Sequence, residues 1–213
     1  MAQSSFPFEN IDTTEAQYSA LFSNLQDTGV KGVPGDGNLL VTGDSSGMQV
    51  RVAAGDAFIH GFYYQNSIQA TVALAAAPTA GQSRIDSIVL TMDTVANSIL
   101  LAVVQGTAAT TGAQVAPTLT QSLTGGVYQL LLAQVLVTGG ASVITAGNVT
   151  DVRTFMGTRF QYWTTATRPT APTFGTTGFN QTLGYHEYWD STVSAWKQLG
   201  GGDLSGTFLL MGA

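Results

Sequence analysis

The stretch from Ser83 to Gly106, SRIDSIVLTMDTVANSILLAVVQG, most narrows what this chain can become. It reads as two apolar strands joined at Thr94-Val95-Ala96-Asn97, with Ala77-Pro78-Thr79-Ala80-Gly81 upstream and a Gly- and Thr-rich loop downstream. Runs of β-branched and aliphatic residues between turn signals mark strands. Ile99, Leu101 and Val103 alternate with Leu100, Ala102 and Val104, so the second strand is apolar on both faces. A strand of that kind is covered on both sides, which places the hairpin at the centre of a sheet. Arg84 and Asp86 open the first strand and Asp93 closes it. VYQLLLAQVLV, Val127 to Val137, is a third doubly apolar run.

The rest of the chain is ordered around these strands. One helix is expected near the start, where Asp12-Thr13-Thr14-Glu15 has the form of a capping box. Tyr18, Leu21, Phe22 and Leu25 follow at helical spacing on one face, and Gly29 supplies a C-cap. Phe6 and Phe8, in the extended piece ahead of it, read as docking anchors. Strands are expected at Leu39–Thr42, Met48–Val52 and Ile68–Leu74, and over 57–65 as one piece with Phe58, Phe62 and Tyr64 on a shared face. The 107–126 loop has little periodicity and reads as a contact with a neighbour. Asn148 to Arg153 reads as a closing edge.

This gives an all-β fold: a β-sandwich-like core with one short N-terminal helix and a small C-terminal aromatic hairpin. The expected parts are a docking segment (1–38), the core (39–156), a Thr- and Pro-rich linker (157–177) and an aromatic hairpin with an apolar tail (178–213). Some 20 residues cannot bury a core alone, so the hairpin needs something to pack on. Phe208, Leu209 and Leu210 in the tail point to burial in an oligomer.

Charged residues are only 9% of the chain against 44% hydrophobic, where about 25% charged is usual. A surface so poor in charge suits a protein covered by neighbours, since obligate interfaces are charge-depleted. A net charge of −6 with seven basic residues leaves no basic patch for nucleic acid. There is no cysteine, which removes disulfides and thiolate metal sites. No signal peptide is expected at the start, nor any membrane span.

Candidate chemistry is sparse. Gly43-Asp44-Ser45-Ser46-Gly47 fits G-x-S-x-G, but a strand follows it where a nucleophile elbow needs a helix, so it reads as a turn. His60, taken as mid-strand, and His186 are isolated, and neither metal nor cofactor is expected. Asp86, Asp93 and Asp151 offer carboxylate pairs of the glycosidase kind. Cross-strand pairing between Arg84-x-Asp86 and Asp151-x-Arg153 explains them more simply. Tyr185, Tyr188, Trp189 and Trp196 offer either a glycan-stacking surface or the hairpin's own core and interface. No catalytic residue is assigned.

The motif order FPFEN…TTEAQYSALFSNLQDTGV, VTGDSSGMQVRVAAGDAFIHGFYYQN, RIDSIVLTMDTVANSILLAVVQGT, LAQVLVTGGASVITAGNVTDVRTF resembles tailed-phage minor tail or baseplate proteins, in particular the N-terminal domain of tail-tip and fibre proteins. The resemblance spans roughly Phe6 to Phe155, and the segment from Thr164 to Leu199 resembles the short aromatic element that follows in such fibres. In that pattern the hairpin turn is Asp-Gly-Thr; here it is Asp190-Ser191-Thr192. The resemblance implies a virion structural protein, commonly a homotrimer, made in the host cytoplasm and joined to other tail or baseplate proteins. It carries over no catalytic residue. Head-fibre or capsid-decoration roles, a host-glycan adhesin and a cell-wall hydrolase are the alternatives.

Overall fold

Gly29 and Val30 form β1 (Gly29–Val30), which pairs with residues 57 and 58 on one side and bridges Phe155 on the other, so the start and the end of the first unit meet. The computed structural model describes residues 12–156, 162–170, 172 and 176–200. The chain divides into two units, Met1–Thr158 and Arg159–Ala213. The fold is all-β with one short helix, α1 (Glu15–Ser23). Phe6, Phe8, Phe208, Leu209 and Leu210 lie outside the described residues.

Three sheets make the first unit. β1 pairs with β4 (Gly55–Ile59), which pairs with β5 (Phe62–Asn66). β2 (Val41–Thr42) pairs with β3 (Gln49–Val52), and β3 with β6 (Ala70–Ala73). The largest sheet has five strands: β7 (Gln82–Asp93), β8 (Ser98–Val104), β9 (Ala109–Thr110), β10 (Val127–Thr138) and β11 (Val149–Asp151). Its order is β11-β10-β7-β8, with β9 also on β7, and all pairs are antiparallel.

All three sheets contribute to one core. Val30, Leu39, Val50, Val52, Ile59, Ile88, Leu90, Leu132, Val135 and Val137 are among its fully buried members. Each such side chain contributes about 1.5–3 kcal/mol by leaving water. β7 is buried on both faces: Val89, whose side chain points away from that core, is as inaccessible as Ile88 and Leu90. The 107–126 segment is tied to its own sheet through β9, through Ser83 to Gln114 at 3.0 Å, and through Thr120 and Gln129. The expected central hairpin is therefore half correct. β7 is central, but β8 is an edge, and Leu100 on it is 63% exposed.

Other departures have local causes. The expected single strand over 57–65 is a hairpin, turned at His60 (φ 46°) and Gly61 (φ 87°). Left-handed backbone at both central residues gives a type I′ turn, whose twist suits paired strands. Cross-strand pairing puts Ala57 with Tyr64 and Ile59 with Phe62 on the core side, while Phe58 pairs Tyr63 on the other. Phe58 thus does not share a face with Phe62 and Tyr64. In β10 the register shifts between Leu131 and Ala133, so Leu130 and Val135 both reach the core despite opposite parity. A bulge of one residue does this.

The helix starts two residues later than the Asp12 capping box would set it. Thr14 is the N-cap: its hydroxyl accepts from Gln17 N–H, and its own N–H donates to Gln17 Oε1 at 2.8 Å. Asn24 caps the C-terminus, not Gly29. Gly29 is required for a different reason, since a Cβ there would sit 2.7 Å from the backbone of Phe155 and Met156.

The second unit is a four-stranded sheet of β12 (Tyr162–Trp163), β13 (Thr177–Asn180), β14 (Tyr185–Asp190) and β15 (Ala195–Gln198), in that order. β12 is parallel to β13 and the other pairs are antiparallel. The expected 157–177 linker is not wholly a linker. Its residues 162–167 supply β12 and a 3-10 turn, because buried Trp163 is the piece that gives the hairpin a core.

Candidate functional site

Helix α1 rests on the outward face of the β4–β5 hairpin. The Ser19 hydroxyl donates to the His60 carbonyl, and Phe22 packs edge-on to Phe58 with centroids 6.4 Å apart. Gly61 makes the seat possible, because any Cβ there would collide with the Ser19 backbone. What the seat does not cover is the apolar face. Tyr18, Leu21, Phe22 and Leu25 remain 46%, 40%, 42% and 59% exposed, and α1 buries no residue. An amphipathic helix normally spends that face on its own domain. Here its apolar residues stand together and exposed on the hairpin that seats the helix.

The charged motifs are internal ties. Arg84 Nε meets both Asp86 oxygens at 2.9 and 3.1 Å, its Nη atoms donate to the Ala75 and Ala76 carbonyls at 2.6 Å, and Asp86 accepts Gly106 N–H at 3.0 Å. Both residues are buried. Arg153 pairs with Asp151 at 2.7–2.8 Å, reaches the Asn38 carbonyl and lies over the Phe155 ring. The Arg153 hydrogen bonds hold the Asp151 carboxyl below its usual range. The expected exchange of partners between the two motifs does not occur. β10 stands between β7 and β11; Arg84 and Asp86, two apart on β7, share a face, while Arg153, just past the end of β11, donates back to Asp151 from both its backbone N–H and its guanidinium. Asp93 accepts the Val95 and Ala96 amides at 2.8 and 2.9 Å and so shapes the β7–β8 turn.

In the second unit Glu187 is the hub. Although only 1% exposed, it accepts from Trp163 Nε1 at 2.6 Å, Asn180 Nδ2 at 3.0 Å and Arg168 Nε and Nη2 at 2.7 and 2.6 Å. Trp196 packs between Trp163 and Trp189, with centroids 5.0 and 5.5 Å away, and Arg168 lies 5.8 Å over it. Strand register puts Tyr185, Glu187, Trp189 and Trp196 on one face and Tyr188 on the other. The four expected aromatic residues therefore do not form one platform; Trp189 and Trp196 join Trp163 in the unit's own core. Trp163, Arg168, Asn180 and Glu187 escaped the sequence reading. The available signal was a lone Glu alternating with Tyr185 and Trp189 on an aromatic strand.

Gly43 to Gly47 is a turn between β2 and β3, with Asp44 accepting from Ser46 and Arg51. Those hydrogen bonds hold its carboxyl well below the usual range. His60 sits in a hairpin turn, not mid-strand, with its ring 4.5 Å from Tyr128. His186 packs against Phe179 at 5.2 Å. Among the described residues no group of three His, Asp or Glu could hold a metal ion, and no helix is long and apolar enough to cross a membrane.

Fold and site together define an all-β protein of two units with a seated, outward-facing apolar helix. Compared with protein-family models, curated proteins and solved structures, the chain matches none.

Proposed function

We propose that the chain is a virion structural protein of a tailed bacteriophage, a minor tail, baseplate or tail-fibre component that links the tail tip to host-recognition parts. It works by obligate assembly, as a homotrimer joined to other tail proteins, and it is not an enzyme. The observation that carries this reading is the helix face of Tyr18, Leu21, Phe22 and Leu25, seated on the β4–β5 hairpin yet 40–59% exposed. A chain with only 9% charged residues supports it, because such a chain solvates poorly unless neighbours cover it. Gold-labelled antibody to the chain should mark the tail tips of particles carrying its gene. Labelled heads would mean a head fibre or decoration protein, and unlabelled particles would end the proposal.

A host-glycan role draws on one observation. Tyr162, 71% exposed, is in register with Phe179 and His186 across three strands on the outward face of the second unit. Glycan-array binding that disappears on Tyr162→Ala, with Trp189→Phe unaffected, is its test.

A further inference from the structure

Two sheet edges of the first unit face a single cavity. β5 ends the β1-β4-β5 sheet and β8 ends the five-stranded one. A groove of about 570 Å³ lies between them, lined by residues 62–65 of β5 and 98–100 of β8. Successive strand residues point to opposite faces. A cavity touched by an unbroken run on both strands therefore looks onto their edges, where backbone N–H and C=O groups seek partners. Among the described residues neither edge is paired on that side.

Proteins usually blunt such edges with Lys, Pro, a bulge or shortness. β8 has none of these: it is the seven-residue run SILLAVV. Leu100 on it is 63% exposed, and Tyr63 on β5 is 58% exposed. Met92 and Ile99 make the groove apolar, while Glu15 and Asp93 line it with negative charge and none of its described lining residues is Lys or Arg.

We propose that this groove receives one extended segment of a different protein as an added strand between β5 and β8. The segment is apolar at alternate positions and carries a Lys or Arg where it meets Glu15 and Asp93. Main-chain pairing supplies affinity in strand addition, and alternate side chains supply specificity. A second copy of this chain is a poorer occupant, having a net charge of −6 and only seven basic residues. The inference rests on the groove alone and holds whether or not the helix face binds sister chains.

The test uses the full chain and the acetylated, amidated hexapeptide Lys-Val-Thr-Val-Thr-Val. Saturable binding is expected, with slowed amide exchange at 62–65 and 98–100. Backbone N-methylation of the peptide should weaken binding by about tenfold or more, since each lost hydrogen bond counts. Glu15→Gln should weaken the Lys peptide and leave its Gln analogue unchanged. Leu100→Lys, at an exposed site, should weaken binding too; if that variant does not fold, the wild-type exchange pattern decides alone. Absence of saturable binding at millimolar peptide, indifference to N-methylation, or protection elsewhere would overturn the proposal. So would protection of both edges that rises with protein concentration without peptide, which would make a second copy the occupant.

Discussion

Each unit has a buried carboxylate of its own, matched by an arginine and by donors that a substitution would leave stranded. Asp86 fixes Arg84 and the Gly106 amide, and Glu187 gathers Trp163, Asn180 and Arg168. Removing one partner of a buried pair costs about 3–5 kcal/mol, because the other charge stays buried and unmatched. Asp86→Ala is expected to destabilise the first unit by about that much in guanidinium melts. Glu187→Ala should lower the stability of the second unit by about 3 kcal/mol. Tryptophan emission reports on that unit alone, since the chain's three tryptophans are Trp163, Trp189 and Trp196. Acid should act through the same residue. Burial raises the Glu187 carboxyl, but hydrogen bonds from Arg168, Trp163 and Asn180 outweigh it, so its folded pKa lies below the ordinary 4.5. A lowered folded pKa gives stability that is present above the unfolded value and is lost as pH falls through the folded one. Hydrogen bonds from Lys197 and Thr192 bring Asp190 down to about 2. The second unit should therefore stay folded at neutral pH and lose its native tryptophan emission as pH falls from 4.5 towards 2. Unchanged emission at pH 2 would contradict this.

At the scale of elements, the helix seat and the parity of the strands carry the most information. Gly61 has φ 87° and lies against the Ser19 backbone. Gly61→Ala combines a strained conformation with a clash, and should cost about 1–3 kcal/mol and speed amide exchange over Glu15–Ser23. Exchange unchanged there would mean the seat is not where the helix is held. Strand existence was legible in the sequence, because the apolar runs of β7, β8 and β10 lie between clear turn signals. Strand faces were less so. The extra residue near Leu132 reverses parity within β10, and a period of two cannot be read across it. His60-Gly61 turns a hairpin without the Asn-Gly signature, which hid the break between β4 and β5. The edge position of β8 was also hidden, since a strand apolar on both faces has the same pattern whether its sheet or a partner covers it. Arg84 and Asp86 share a strand face by spacing alone, whereas Trp163 and Glu187 are 24 residues apart and meet only through tertiary packing.

For the whole molecule, the unusual quantity is the mismatch between apolar content and cover. A chain with 44% hydrophobic residues and 9% charged ones builds a full core, yet among the described residues the α1 face is exposed and the outer β8 edge has no paired strand. Exposed apolar patches of this kind mark interaction surfaces, and for the α1 face closed cyclic assembly is the common way to cover it. The aromatic cluster near Trp196 was the more visible feature in the sequence, but it is used inside its own unit. The helix, expected from the sequence as part of the docking segment, is the better candidate for assembly. Sedimentation and light scattering of the purified chain test this most directly. Three chains of 22.2 kDa should give a particle of about 67 kDa, and Leu21→Glu combined with Leu25→Glu should reduce it to a folded monomer. A wild-type chain that stays monomeric at all concentrations, or a double variant that keeps the trimer mass, would contradict assembly through the helix face.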